Sequence, residues 1–207
     1  MFVIGLTGGI GTGKSTVAQV LQEQGLPVLS ADLVGHEVYL PGRPGYHEIV
    51  KEWPQVVSPD GTIDRKKLGA IVFADPKELA KLNSITHPRM KGMMREKLGE
   101  LDKKGEKVVV LEAALLLEAR WDDLADVIWV TAAPPETAAK RVAERSALDP
   151  DRVMERIRAQ MSTEERMKRA NAAIDTSGDM ESTRRQTLEL WHRTWPEAPM
   201  RSRGSTR

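Results

Sequence analysis

The residues most able to do chemistry lie near the start of the chain. Gly8-Gly9-Ile10-Gly11-Thr12-Gly13-Lys14-Ser15 satisfies the pattern G-x-x-x-x-G-K-[ST] at every fixed position. Glycines in such a run let the backbone aim successive N–H groups inward at phosphate oxygens. A helix opening near Lys14 adds the positive end of its dipole. The lysine of this pattern reaches the β- and γ-phosphates, and the serine hydroxyl helps to hold Mg²⁺. Lys14 and Ser15 are assigned those roles, with Gly9, Gly11, Thr12, Gly13 and Thr16 completing the ATP cradle. The context supports this reading, because the run sits between a short apolar segment and an amphipathic one carrying Val17, Ala18, Val20 and Leu21.

The glycine loop alone does not separate a kinase from a GTPase or a motor. A guanine-reading Asn-Lys-x-Asp string is absent from the sequence, and Asp175-Thr176-Ser177-Gly178 fits D-x-x-G only far too near the C-terminus for a switch. A kinase also needs a group that orients or deprotonates an acceptor hydroxyl. Asp32 follows the second apolar segment, Val28-Leu29, and suits that role; its other reading is an N-cap for a helix starting at Leu33. Glu112 closes another apolar run and reads equally as a water-mediated Mg²⁺ ligand or as a structural cap. Arg141 and Arg145 stand four apart and share a helix face. Two guanidinium groups so placed can clamp a migrating phosphoryl group, or form a solvated face paired with Glu144 or Asp149.

These groups need a scaffold. Apolar, partly β-branched runs at 2–7, 28–29, 107–111 and 127–130 predict buried strands, with 173–174 a weaker one. Amphipathic runs at 14–24, 136–146, 150–161 and 180–194 predict helices between them. Strands alternating with helices imply a three-layer α/β domain around a parallel sheet, with ligands beyond the carboxyl ends of the strands. The glycine loop, Asp32, Glu112 and Thr131 all follow such ends. Residues 33–104 are mainly helical in pattern, broken at Pro41-Gly42, Pro59-Asp60-Gly61 and Pro76, which is too long for a simple crossover. The predicted division is a core of 1–32 and 105–195, a helical insert of 33–104, and a polar, flexible tail of 196–207.

The 207 residues suffice for a core without staples, and 40% hydrophobic with 29% charged residues is ordinary for a globular protein. A net charge of +1 argues against a dedicated nucleic-acid binder. The five tryptophans are dispersed, so they form no stacking platform and read as core or boundary residues. With no cysteine, disulfides and thiol chemistry are excluded, which fits a cytoplasmic chain. No apolar run is long enough for a membrane span, and the N-terminus reads as a first strand rather than a signal peptide. Oligomeric state stays open between a monomer and a weak homo-oligomer.

Several segments in order resemble dephospho-coenzyme A kinases. They are Gly8 to Thr16, Ser30-Ala31-Asp32, Asp64-Arg65-Lys66-Lys67-Leu68 with Ile71-Val72-Phe73, and Thr86-His87-Pro88. Leu115-Leu116-Leu117-Glu118, Arg141 with Arg145, Arg156 to Gln160, and Ile174 to Gly178 continue the series. The resemblance implies a P-loop fold like that of nucleoside monophosphate kinases, with a helical acceptor-binding domain and an arginine-bearing lid over about 136–168. It implies transfer of the ATP γ-phosphate to the 3′-hydroxyl of dephospho-coenzyme A. Asp32 falls on the family's proposed base, Arg65 and His87 on its acceptor-domain positions, and Arg141 and Arg145 on its lid arginines; the other readings of Arg65 and His87 are a surface helix start and a helix N-terminal histidine before Pro88. The chain departs from the usual pattern at Ser30, where many members carry Asp, at Ala114 in place of Pro, and at Thr176 in place of Asn.

Overall fold

β1 (Phe2–Gly8) is buried from its second residue onward, as a central strand covered on both faces must be. It pairs in parallel with β3 (Val108–Glu112) on one side and with β4 (Val127–Ala132) on the other. β4 in turn pairs in parallel with β5 (Ala172–Asp175), and β2 (Val28–Ser30) completes the sheet order β2-β3-β1-β4-β5. This arrangement comes from a computed structural model that describes residues 1–146 and 149–195. The expected tail of 196–207 lies outside the described residues. The chain separates into two units, one comprising Met1–Leu29 and the chain from Leu101 onward, the other Ser30–Glu100.

In the first unit, residues two apart on β1 share a face. Ile4 and Leu6 meet Val17 and Leu21 of α1 (Lys14–Glu23), Leu190 and Trp191 of α9 (Met180–Thr194), and Trp129 and Ile174 of the neighbouring strands. Gly5 points to the other face, where an added methyl would lie 2.8 Å from the Leu116 side chain and 2.9 Å from Ala125. α6 (Pro135–Ser146) packs on α7 (Pro150–Arg158) through Ala139, Val142 and Val153, with Ile10 of the glycine loop against them. α8 (Thr163–Arg169) opens on a capping box between Ser162 and Glu165 and packs against β4. The sequence pattern did not disclose this helix.

The second unit is helical: α2 (Ala31–Val38), α3 (Pro44–Glu52), α4 (Arg65–Val72) and α5 (Pro76–Lys103). Its core joins Ile49, Trp53, Val56, Ile63, Leu68, Val72, Leu82 and Ile85. The Trp53 indole N–H donates to Glu78 Oε2 at 2.6 Å, so the buried ring keeps its polar atom satisfied. Two expectations change here. Asp32 is not an N-cap: α2 starts one residue earlier, Ser30 holds the cap position, and Asp32 stands in the first helical turn. α5 also runs straight through Pro88, so His87 lies inside a long helix instead of at a helix start. Proline cannot donate to the carbonyl four residues back; next to it, the Arg89 guanidinium donates to the Ile85 carbonyl. Among the described residues no helix is long and apolar enough to cross a membrane.

Candidate functional site

The loop between β1 and α1 is built around positions that only glycine fills without strain. Gly11 and Gly13 both have φ of 76°, and a methyl at Gly11 would lie 2.4 Å from the Ala138 carbonyl oxygen. A methyl at Gly8 would lie 2.1 Å from Thr131 Oγ1 and 2.6 Å from Thr12 Oγ1. Those two hydroxyls hydrogen-bond each other at 2.7 Å, fully buried. Thr12 Oγ1 also reaches the Gly9 carbonyl at 2.9 Å and Thr131 Oγ1 the Thr7 carbonyl at 3.4 Å, so the hydroxyl pair joins the loop to β1 and β4. The Thr176 hydroxyl donates between the Thr12 and Ala132 carbonyls, at 2.8 and 3.0 Å. The loop is thereby stapled to the ends of β4 and β5.

Charge gathers at the same place. Lys14 Nζ stands 3.7 Å from Glu112 Oε1, at the end of β3, with both side chains largely buried. A pair at that separation is loosely held and leaves the ammonium donors available to an anion. Ser15 is exposed in the first turn of α1. Among the described residues no group of three or more His, Asp or Glu is arranged to hold a metal ion. Mg²⁺ does not require one, because it keeps several waters and takes one or two protein oxygens plus substrate phosphates. The Ser15 hydroxyl and the neighbouring carboxylate of Glu112 are hard oxygen donors of the kind it accepts. Arg141 on α6 donates to the Thr176 carbonyl at 2.7 Å, and Arg145 is exposed one turn further along. The backbone N–H of Ser177 donates to Asp175 at 2.8 Å, and this holds the Asp175 carboxyl below its usual range.

Beside the loop lies a cavity of about 640 Å³. Gly9, Ile10 and Thr12 form one wall, Ala132 to Pro135 another, and Gln160, Arg166 and Asp175 contribute polar groups. Of these, Gln160 was named only as the end of the Arg156 to Gln160 segment and given no role, and Arg166 was not singled out by sequence reasoning. Gln160 Oε1 accepts the Ile10 N–H at 2.9 Å. Arg166 is 1% exposed and ion-pairs with Glu118. The available signal was the Ser162-x-x-Glu165 capping box, which fixes α8 and hence the face on which Arg166 sits.

The remaining predicted residues belong to the second unit, on three helices. Asp32 is exposed in the first turn of α2. Arg65 is exposed and opens α4 behind its cap Asp64, whose carboxylate accepts the N–H groups of Lys66 and Lys67. Its positive charge acts on Tyr39, whose hydroxyl is pushed up by burial and partly pulled back by Arg65. His87 is half-buried on α5, and burial lowers its pKa, favouring the neutral ring.

Comparison with known proteins adds an independent line. The family model described as dephospho-CoA kinase matches residues 2–182. A dephospho-CoA kinase of Carboxydothermus hydrogenoformans is 44% identical over 189 residues, covering 91% of this chain and 92% of the relative. A crystal structure of a Thermus thermophilus protein superposes with a TM-score of 0.82 at 34% identity, covering 94% of this chain and 97% of the other. A dephospho-CoA kinase from Campylobacter jejuni gives a TM-score of 0.70 at 25% identity, over 93% and 96% of the two chains.

Proposed function

Since the chain belongs to the dephospho-CoA kinase family, we propose a division of labour among its residues for the reaction this family performs. The protein is a kinase that phosphorylates dephospho-CoA at the expense of ATP, giving coenzyme A. The observation that carries the assignment of roles is the stapled glycine loop, with Lys14 at its end and Gly11 and Gly13 both at φ of 76°. The core, 1–32 with 105–195, holds the nucleotide, and the insert, 33–104, holds the acceptor.

In this reading the amides of Gly9 to Thr16 surround the phosphates, and Lys14 leaves Glu112 for the β- and γ-phosphates. Ser15 would hold Mg²⁺, which would offset the negative charge of the phosphates. Asp32 accepts the proton of the ribose 3′-hydroxyl as that oxygen attacks phosphorus. Its place in the first turn of α2 leaves the carboxylate exposed, where an acceptor hydroxyl can reach it. Arg65 offers a fixed positive charge to the acceptor's phosphate groups. His87, whose burial favours the neutral ring, contributes its imidazole to the acceptor site. Arg141 and Arg145 close on the migrating phosphoryl group from the lid, about 136–168, which excludes water from the reaction.

The test is an acceptor panel. Purified protein with ATP and Mg²⁺ is offered dephospho-CoA, nucleosides and shikimate, and ADP release is coupled to product identification. Coenzyme A formed from dephospho-CoA alone supports the reading. Turnover of another acceptor with no coenzyme A contradicts it.

A further inference from the structure

Arg166 is a charge whose burial needs a reason. It is 1% exposed, yet its carrier α8 is only seven residues long and mostly polar. Its guanidinium makes two hydrogen bonds, from Nη2 to Glu118 Oε1 and from Nη1 to the Met161 carbonyl. A guanidinium has five N–H donors, so these two leave three in hand. Nε is buried without a partner, and so is the second oxygen of Glu118. A pairing selected for stability alone would use these groups, since a buried polar atom left unpaired is destabilising.

Nη1, which uses one of its two N–H groups on Met161, lies beside the phosphate loop. A methyl placed on Gly9 would lie 3.6 Å from Arg166 Nη1 and 3.5 Å from Gln160 Oε1. Gln160 is already engaged there, because its side-chain oxygen accepts the Ile10 N–H at 2.9 Å. An uncharged oxygen thus satisfies a loop amide beside a cation with donors unused. Gly9, Ile10, Gln160 and Arg166 line one cavity. The group that fits such a place is an anion with several oxygens.

We propose that Arg166 is a catalytic cation that grips the terminal phosphate of the nucleotide, with Gln160 keeping the Ile10 amide occupied until that phosphate arrives. Glu118 is a positioning residue: it neutralises the guanidinium while the site is empty and fixes the plane in which its remaining N–H groups point. The cation therefore acts on the γ-phosphate more than on the two phosphates common to ATP and ADP. This role rests on the kinase reading given above and adds to it a residue that discriminates ATP from ADP.

The test compares ATP with ADP. Arg166→Gln is combined with Glu118→Gln, so that no buried charge is left alone, and calorimetry gives the affinity for each nucleotide. Loss of a charge-assisted hydrogen bond should weaken ATP about ten- to a hundredfold. ADP affinity should change by less than about threefold, since ADP lacks the group in question. Arg166→Lys, which keeps the charge without the planar fork, should recover part of the ATP affinity. An ATP-to-ADP ratio equal to that of the unsubstituted protein overturns the proposal. A wild-type measurement guards against a variant that does not fold: the buried Arg166 Nε–H signal in NMR should move on addition of a non-hydrolysable ATP analogue and stay nearly still with ADP. An unmoved signal with both overturns the proposal. The unsubstituted protein also separates the two readings. If it makes no coenzyme A, the kinase reading fails and this one with it. If it does and the ratio is unaltered in the variant, only the role of Arg166 fails.

Discussion

Gly8→Ala is a severe substitution although it adds one methyl. The new carbon would sit 2.1 Å from Thr131 Oγ1, 2.6 Å from Thr12 Oγ1 and 3.0 Å from the Thr131 carbonyl oxygen. Carbon does not approach hydroxyl oxygen that closely, so at least one threonine must rotate away and the 2.7 Å Thr12–Thr131 hydrogen bond is lost. Overpacking of a tight site costs about 1–3 kcal/mol. Losing a buried hydrogen bond adds about 1 kcal/mol. The sum is about 2–4 kcal/mol, or on the order of 5–15 °C in Tm for a domain of this size. ATP affinity should fall as well, because Thr12 sits in the loop, with its hydroxyl tied to the Gly9 carbonyl and its own carbonyl to the Thr176 hydroxyl. The assay is a double-mutant cycle with Thr131→Ala, which removes the nearest clashing atom. The two changes should couple, with the pair about 1–3 kcal/mol more stable than the sum of the single losses. Additivity within about 0.5 kcal/mol would refute the clash as the cause.

Three further outcomes follow from the same structure. Asp32→Asn should lower kcat by about 10²- to 10⁴-fold while ATP binding, measured by calorimetry, is retained; unchanged turnover removes Asp32 as the base. His87 bears on stability: burial lowers its folded pKa below the ordinary 6.5, so the unfolded chain binds more protons and stability drops as pH falls below about 6.5. His87→Gln should lack that component, and urea midpoints for both proteins at about pH 7.5 and about pH 5.5 should diverge in slope; parallel slopes contradict it. Hydrogen exchange over 136–168 should slow when ATP analogue and dephospho-CoA are both bound, and unaltered exchange rejects the lid.

The phosphate loop was legible because its information is local. Glycines, Lys14 and Ser15 lie in one run, and the flanking periodicities identify β1 and α1 without any tertiary contact. The parallel sheet was legible for the same reason, since buried strands such as Val108–Glu112 are continuous apolar runs. β5 was harder to see. Only Ile174 of its four residues is buried, so its apolar signal is short, although the strand is four residues long and pairs fully with β4. α8 was missed because Met167 is its one large apolar side chain and is 47% exposed. Its anchor is instead the buried Arg166, and a polar anchor carries no hydrophobic period. Proline at 88 suggested a helix start, but packing of Leu82 and Ile85 into the helical core on one side of it keeps α5 continuous. The tryptophans were read correctly, with Trp53, Trp121, Trp129 and Trp191 all buried. The staple of Thr12, Thr131 and Thr176 could not be read, because it joins residues more than a hundred positions apart.

The central claim is that one loop of backbone amides holds ATP while a carboxylate from the helical unit receives the acceptor's proton. A crystal structure with a non-hydrolysable ATP analogue and dephospho-CoA bound together tests it most directly. The account predicts the triphosphate within Gly9–Thr16, and an Asp32 carboxylate oxygen about 3 Å from the ribose 3′-hydroxyl. A triphosphate seated elsewhere, or an Asp32 carboxylate out of hydrogen-bond reach of that hydroxyl, would contradict it.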